Sequence, residues 1–115
     1  MPVSDEFVPY VVEQLAGWSE VSVRRMFGGA GLYREGTMFA VVADDVAYLK
    51  VDDSNRDDFL RAGSAPFEPY PDKSKTAIRT YYEIPADVLE DPAGLAKWTE
   101  RSWLVARKRL QHPCA

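Results

Sequence analysis

Cysteine and histidine are nearly missing from this sequence, with one of each in 115 residues. Cys114 has no second cysteine to pair with in the chain, which fits a reducing compartment and leaves no disulfide framework. His112 sits in the terminal run His-Pro-Cys-Ala, where a chain end frays. A Ser-His-Asp or Cys-His site needs its base held within hydrogen-bond reach, which a free tail cannot do. Two residues do not complete a zinc site, so no metal is expected. No apolar run approaches the ~20 residues that span a bilayer. The start, MPVSDEFVPY, has neither a basic n-region nor an apolar h-region. Together these absences predict a cytoplasmic protein without a membrane partner.

Phosphate-binding motifs are also missing. The run RRMFGGAGLY places Gly28, Gly29 and Gly31 beside Arg24 and Arg25. A dinucleotide fingerprint needs a third glycine three positions after Gly31, where this chain has Arg34, and it needs a helix next. The next pattern is a strand, and no Gly-Lys-Ser/Thr occurs anywhere. Met26, Phe27, Gly28, Gly29 and Gly31 are therefore read as a structural motif, with glycines giving positive φ or close backbone approach at a sheet corner. The pairs Asp44-Asp45 and Asp52-Asp53 fall at a turn and a helix cap, where aspartate serves local hydrogen bonding. No catalytic residue and no cofactor are expected, and the chain reads as non-enzymatic.

What is present describes a globular domain. Apolar residues make up 46% and aromatics 12% of the chain, and 115 residues predict a single domain, 1–115. The net charge of −4 works against non-specific binding to nucleic acid. Acids gather at 44–58 and bases between Lys97 and His112. Cations late in a helix complement its dipole, so that cluster has a local explanation.

Phe7, Val8, Val11, Val12 and Leu15 recur at helical spacing after the start signal Ser4-Asp5-Glu6. Alternation then predicts a strand from Val21 to Phe27, a second resuming at Leu32, a third over 37–43 that is apolar on both faces, and a fourth over 46–51. Glu35-Gly36 and Asp44-Asp45 are tight turns, so these strands form an antiparallel meander of three or four. A short helix with an Asp/Ser cap is expected between Asp52 and Gly63. Pro66-Phe67 can be an edge strand at best. The turn 72–75 leads to a half-buried strand over 78–84. Asp91-Pro92 opens the last helix, which buries Leu95, Trp98, Trp103 and Leu110. The fold class is α+β, a two-layer domain with helices against an antiparallel sheet.

Such a sheet leaves one face uncovered, and alternation sends Val46, Tyr48 and Lys50 outward, with Arg79, Tyr81 and Glu83 beside them. Tyr48, Lys50, Arg79 and Tyr81 are the candidate partner surface. Arg24, Arg25, Lys97, Arg101 and Lys108 are candidate basic contacts, the last three forming one helical stripe of the kind that usually meets solvent.

Arg25-Met26-Phe27-Gly28-Gly29, Gly31-Leu32-Tyr33, Met38-Phe39-Ala40, Tyr48-Leu49-Lys50-Val51-Asp52, Pro66-Phe67, Tyr81-Tyr82-Glu83-Ile84-Pro85 and Val88-Leu89 follow one another in the order and spacing of a known family. Over about 5–110 the chain resembles the N-terminal domain of the TfoX/Sxy proteins. The resemblance implies a fold like the type III secretion chaperones, ordered α-β3-α-β2-α. It also implies a regulatory role, because full-length members regulate competence genes at transcription beside a cyclic-AMP-dependent activator. Those members carry a second, helical C-terminal domain that has no counterpart in these 115 residues, and the family supplies no catalytic residue. The expected function is thus a protein-binding regulatory module whose partner belongs to the transcription machinery or is a second copy. Direct nucleic-acid binding through the basic contacts, and a small-ligand binder or enzyme of unknown type, are the alternatives.

Overall fold

Two tight turns organise the sheet. Glu35 and Gly36 have φ of 52° and 80°, and Asp44 and Asp45 have 53° and 60°. Positive φ at both central residues is the type I′ geometry, whose twist matches that of the strands it joins. The strands follow from these turns: β1 (Ser22–Met26), β2 (Gly29–Arg34), β3 (Thr37–Ala43) and β4 (Val46–Lys50) pair in sequence, each antiparallel to the next. The meander has four strands, the larger of the two expected counts.

The computed structural model describes residues 6–26, 29–67 and 78–111. The helix start at Ser4-Asp5, Phe27 and Gly28, the turn 72–75, and the tail with His112 and Cys114 lie outside the described residues. Around the meander are helix α1 (Phe7–Gln14), helix α2 (Arg56–Arg61), strands β5 (Pro66–Phe67) and β6 (Ile78–Glu83), a short helix α3 (Ala86–Leu89) and the long helix α4 (Pro92–Gln111). Strand β6 joins β4, and β5 lies outside β6, giving the order β1-β2-β3-β4-β6-β5 in a six-stranded sheet. Pro66-Phe67 is an edge strand, as a proline-led segment must be.

One face of the sheet carries the core. Leu32 pairs with Ala40, Ala40 with Leu49, and Leu49 with Tyr82, an inward row that continues onto α1 through Val8, Val11 and Leu15, α2 through Phe59, and α4 through Leu95 and Trp103. Thr99 and Ser102 are fully buried on α4, where small side chains let the helix approach the sheet. Trp98 is half-buried against Phe59, ring to ring at 4.8 Å. The side chain of Leu110 lies outside the described residues.

One expectation is corrected and two are refined. Gly29 and Gly31 lie in the ladder of β2 without positive φ, and of the two roles expected of these glycines Gly29 fills the second, since a Cβ on it would lie 2.1 Å from the Val42 backbone oxygen. The helix before Gly63 starts at Arg56 after Asn55, not at an Asp/Ser cap. Asp52 instead accepts the Ser54 backbone N–H at 2.7 Å, while buried Asn55 accepts the Asp52 N–H at 2.9 Å and donates to the Lys50 carbonyl at 3.1 Å. Third, β3 is apolar on both faces as expected, with Phe39, Ala40, Val41 and Val42 all buried, but its register is interrupted. Leu32 faces Ala40 but Tyr33 faces Met38, so Phe39 is an extra, unpaired residue. That one-residue bulge sends both Phe39 and Ala40 into the core.

Candidate interaction surface

The other face of the sheet is built by the same registers. Arg24 pairs with Gly31, Gly31 with Val41, Val41 with Tyr48, and Tyr48 with Glu83. This row crosses five strands, with a guanidinium at one end, a carboxylate at the other, and small or apolar groups between. A neighbouring pair, Lys50 with Tyr81, shares the face. Tyr48 and Lys50 therefore stand where alternation placed them. Arg79 falls on the same side of β6 as Tyr81 by its position in the strand; its side chain lies outside the described residues.

Rings and cations on this face are matched. The Lys50 ammonium lies 4.9 Å from the Tyr81 ring centre, and the Arg24 guanidinium 5.2 Å from that of Tyr33. Tyr48 packs on Phe67 with ring centres 4.8 Å apart. Each contact of a cation with a ring face contributes about 0.5–1 kcal/mol at exposed sites. Neither Tyr33 nor Phe67 was singled out in the sequence, and only knowledge of the strand order could have placed them here.

Tyr81 is on the expected face but is not an exposed ring: it retains 8% of its surface. Burial, with a smaller contribution from Tyr33, pushes its hydroxyl up to about 12. The folded state thus holds this proton more tightly than the unfolded chain, where tyrosine titrates near 10. The resulting stability is complete below about pH 10 and disappears as pH rises through 12, a change of about 2–3 kcal/mol. Tyr81→Phe should flatten the stability profile between those limits in urea titrations at stepped pH. A profile as steep as that of the wild type would place the loss elsewhere.

The basic candidates separate. Arg24 and Arg25 are exposed on β1. Arg101 is paired with Asp58 of α2, Lys97 is exposed on the same stripe, and Lys108 borders a cleft with Asp52, Asp53, Ser54, Arg56 and Thr80. The carboxylates of that cleft are already engaged, Asp53 by Arg56 and Asp52 by Ser54. Burial raises the Asp52 carboxyl, but the Ser54 hydrogen bonds and the charges of Lys108 and Arg56 outweigh it and hold it below the ordinary value. Arg56 is raised by its hydrogen bond to Asp53. Both carboxylates of the cleft are therefore engaged, and Lys108 acts on Asp52 through its charge alone.

A constellation the sequence did not announce lies on the helix side. The Arg34 guanidinium stacks between Trp18 and Trp103, 4.7 and 4.2 Å from their ring centres, and donates to Glu100 at 3.3 Å. The Trp18 indole N–H donates to the same Glu100 oxygen at 2.8 Å, and the Trp103 N–H to the Arg34 carbonyl at 3.1 Å. Arg107 covers Trp103 from another side. Both indole N–H groups and one Arg34 N–H are used internally, so the cluster reads as a clamp tying the end of β2 to α4. No short spacing links these residues, which is why no motif revealed them.

Among the described residues no three His, Cys, Asp or Glu side chains gather as a metal site, and no helix is long and apolar enough to cross a membrane. The geometry defines an α+β domain with helices packed on one sheet face and paired rings and cations on the other. Residues 13–106 match the family model of the TfoX N-terminal domain, and the chain belongs to that family. No curated protein matches it.

Proposed function

We propose that this domain is a non-enzymatic, protein-binding module of a regulatory system, and that it binds through the sheet face around Tyr48, Lys50, Arg79 and Tyr81. The observation that carries the reading is the cross-strand row from Arg24 to Glu83. Aromatic rings held by neighbouring cations and flanked by opposite charges are the composition of an interface core with a polar rim. Rigid rings also lose little entropy when covered, which favours them as anchors. Tyr48, half-buried against Phe67, is the anchor a partner can reach, while buried Tyr81 lies on the same face opposite Lys50. The family background favours a partner from the transcription machinery. A second copy of the chain is the most economical occupant, since a symmetric patch needs no other protein.

Tyr48→Asp tests this. The substitution removes the ring and sets a charge against Phe67, and loss of an interface anchor weakens binding by about 2 kcal/mol or more, roughly thirtyfold. Pull-down from native lysate and light scattering should show partner or dimer lost while circular dichroism stays that of the folded domain. Recovery and mass identical to wild type would remove the sheet face as the interface. Recovery abolished by nuclease alone would favour the nucleic-acid reading.

A further inference from the structure

A six-stranded open sheet has two edges, and here they differ. At one end β5 has two residues and begins with Pro66, which has no N–H to offer a neighbour. At the other end β1 has five residues, Ser22–Met26, and no proline. Alternate residues of an edge strand point their N–H and C=O groups away from the sheet, which makes β1 a template for one more strand. Ser22, Val23, Arg24 and Arg25 are all exposed, and Val23 is one of few large apolar side chains left 39% open.

The side chains say what such a strand would carry. Arg24 and Arg25 are neighbours, so one points to each face: Arg24 with the outer row opposite Gly31, Arg25 with the inner side opposite Ala30. Among the described residues neither has a carboxylate within ion-pair distance, on a chain with a net charge of −4. Val23 lies opposite Leu32 at the rim of the core. A second copy is a poor occupant. Antiparallel pairing of β1 with itself about its central residue would set Arg24 directly opposite Arg24 of its mate, and like charges directly opposite are unfavourable.

We infer that β1 is a docking edge for an extended acidic segment of a partner protein, which adds to the sheet as a strand and sets adjacent carboxylates against Arg24 and Arg25 and an apolar side chain against Val23. Main-chain hydrogen bonds supply affinity in such strand addition, and the alternating side chains supply selection. This inference rests on the protein-binding reading above; it shares Arg24, the end of that cross-strand row, but not Tyr48.

The test uses the whole domain and short synthetic peptides in which two adjacent glutamates are flanked by valine and threonine. Fluorescence anisotropy should show binding, at least about tenfold weaker for the peptide with lysines in place of the glutamates. Shifts in the amide spectrum should centre on 22–26. N-methylation of alternate peptide amides should abolish binding. The Arg24→Glu/Arg25→Glu variant, folded by circular dichroism, should reverse the preference toward the lysine peptide. Equal affinity for both peptides, insensitivity to N-methylation, tighter binding of a single-stranded oligonucleotide through the same arginines, or a dimer in sedimentation that this variant dissolves and Tyr48→Asp leaves intact would each overturn the inference. Tyr48→Asp should leave peptide binding intact, so the two surfaces fail or succeed separately.

Discussion

Gly29→Ala should destabilise the domain by about 3 kcal/mol or more, although the change is one methyl group. A Cβ on Gly29 would lie 2.1 Å from the backbone oxygen of Val42 and 3.2 Å from its carbonyl carbon. The obstacle is main chain, not the end of a flexible side chain, so the methyl fits only if β2 and β3 separate. Those strands are joined from Ala30–Val42 to Arg34–Thr37 and hold the centre of the core between them. Urea unfolding should show a lower midpoint at unchanged slope. Gly17→Ala is the control, because nothing lies within 4 Å of the Cβ it would add. If both substitutions cost the same, close approach is not what Gly29 provides.

Phe39→Ala should cost about 3–5 kcal/mol, against the roughly 5–15 kcal/mol that holds a domain of this kind together. Phe39 is wholly buried and meets Trp18 edge to face at 5.2 Å, and Trp18 meets Trp103 in the same manner at 6.4 Å. Removing the ring leaves a cavity beneath the clamp that holds Arg34, so the near-ultraviolet tryptophan signal should weaken along with stability. Phe39→Leu refills most of the space and should lose less than about 1.5 kcal/mol. A loss below about 1 kcal/mol for the alanine variant would mean that the bulge does not direct this ring into the core.

These two positions also mark the limits of what the residues reveal by pattern. Glu35-Gly36 and Asp44-Asp45 were legible as turns because turn chemistry is local, and the strand Thr37–Ala43 between them follows at once. Family membership was legible because several short motifs keep their order. The inward turn of Phe39 was not legible, since a period of two cannot register an inserted residue, and its strand reads only as apolar on both faces. Gly29 was left between two roles: a glycine needed for positive φ and one needed for close approach look the same until the neighbouring strand is in place. On the candidate surface, alternation assigned Tyr48, Lys50 and Tyr81 to the right side of the sheet. It could not tell that Tyr81 would be covered while Tyr48 stayed half open, because exposure depends on what lies across three other strands. Arg34 with its two tryptophans was beyond reach, its members being scattered from 18 to 103.

The position of α4 after every strand has a consequence for biosynthesis. Every strand of the sheet leaves the ribosome before Leu95, Thr99, Ser102 and Trp103 do, and those residues close the inner face. During that interval the row Leu32, Ala40, Leu49 and Tyr82 has only α1, α2 and the short α3 to shield it, while the meander can already pair through its local turns. The nascent domain is therefore a formed sheet with one greasy side, and the aggregation hazard ends when the last helix emerges and docks. A stalled or truncated chain ending between Glu83 and Leu95 would be a substrate for chaperones, whatever the mature domain binds.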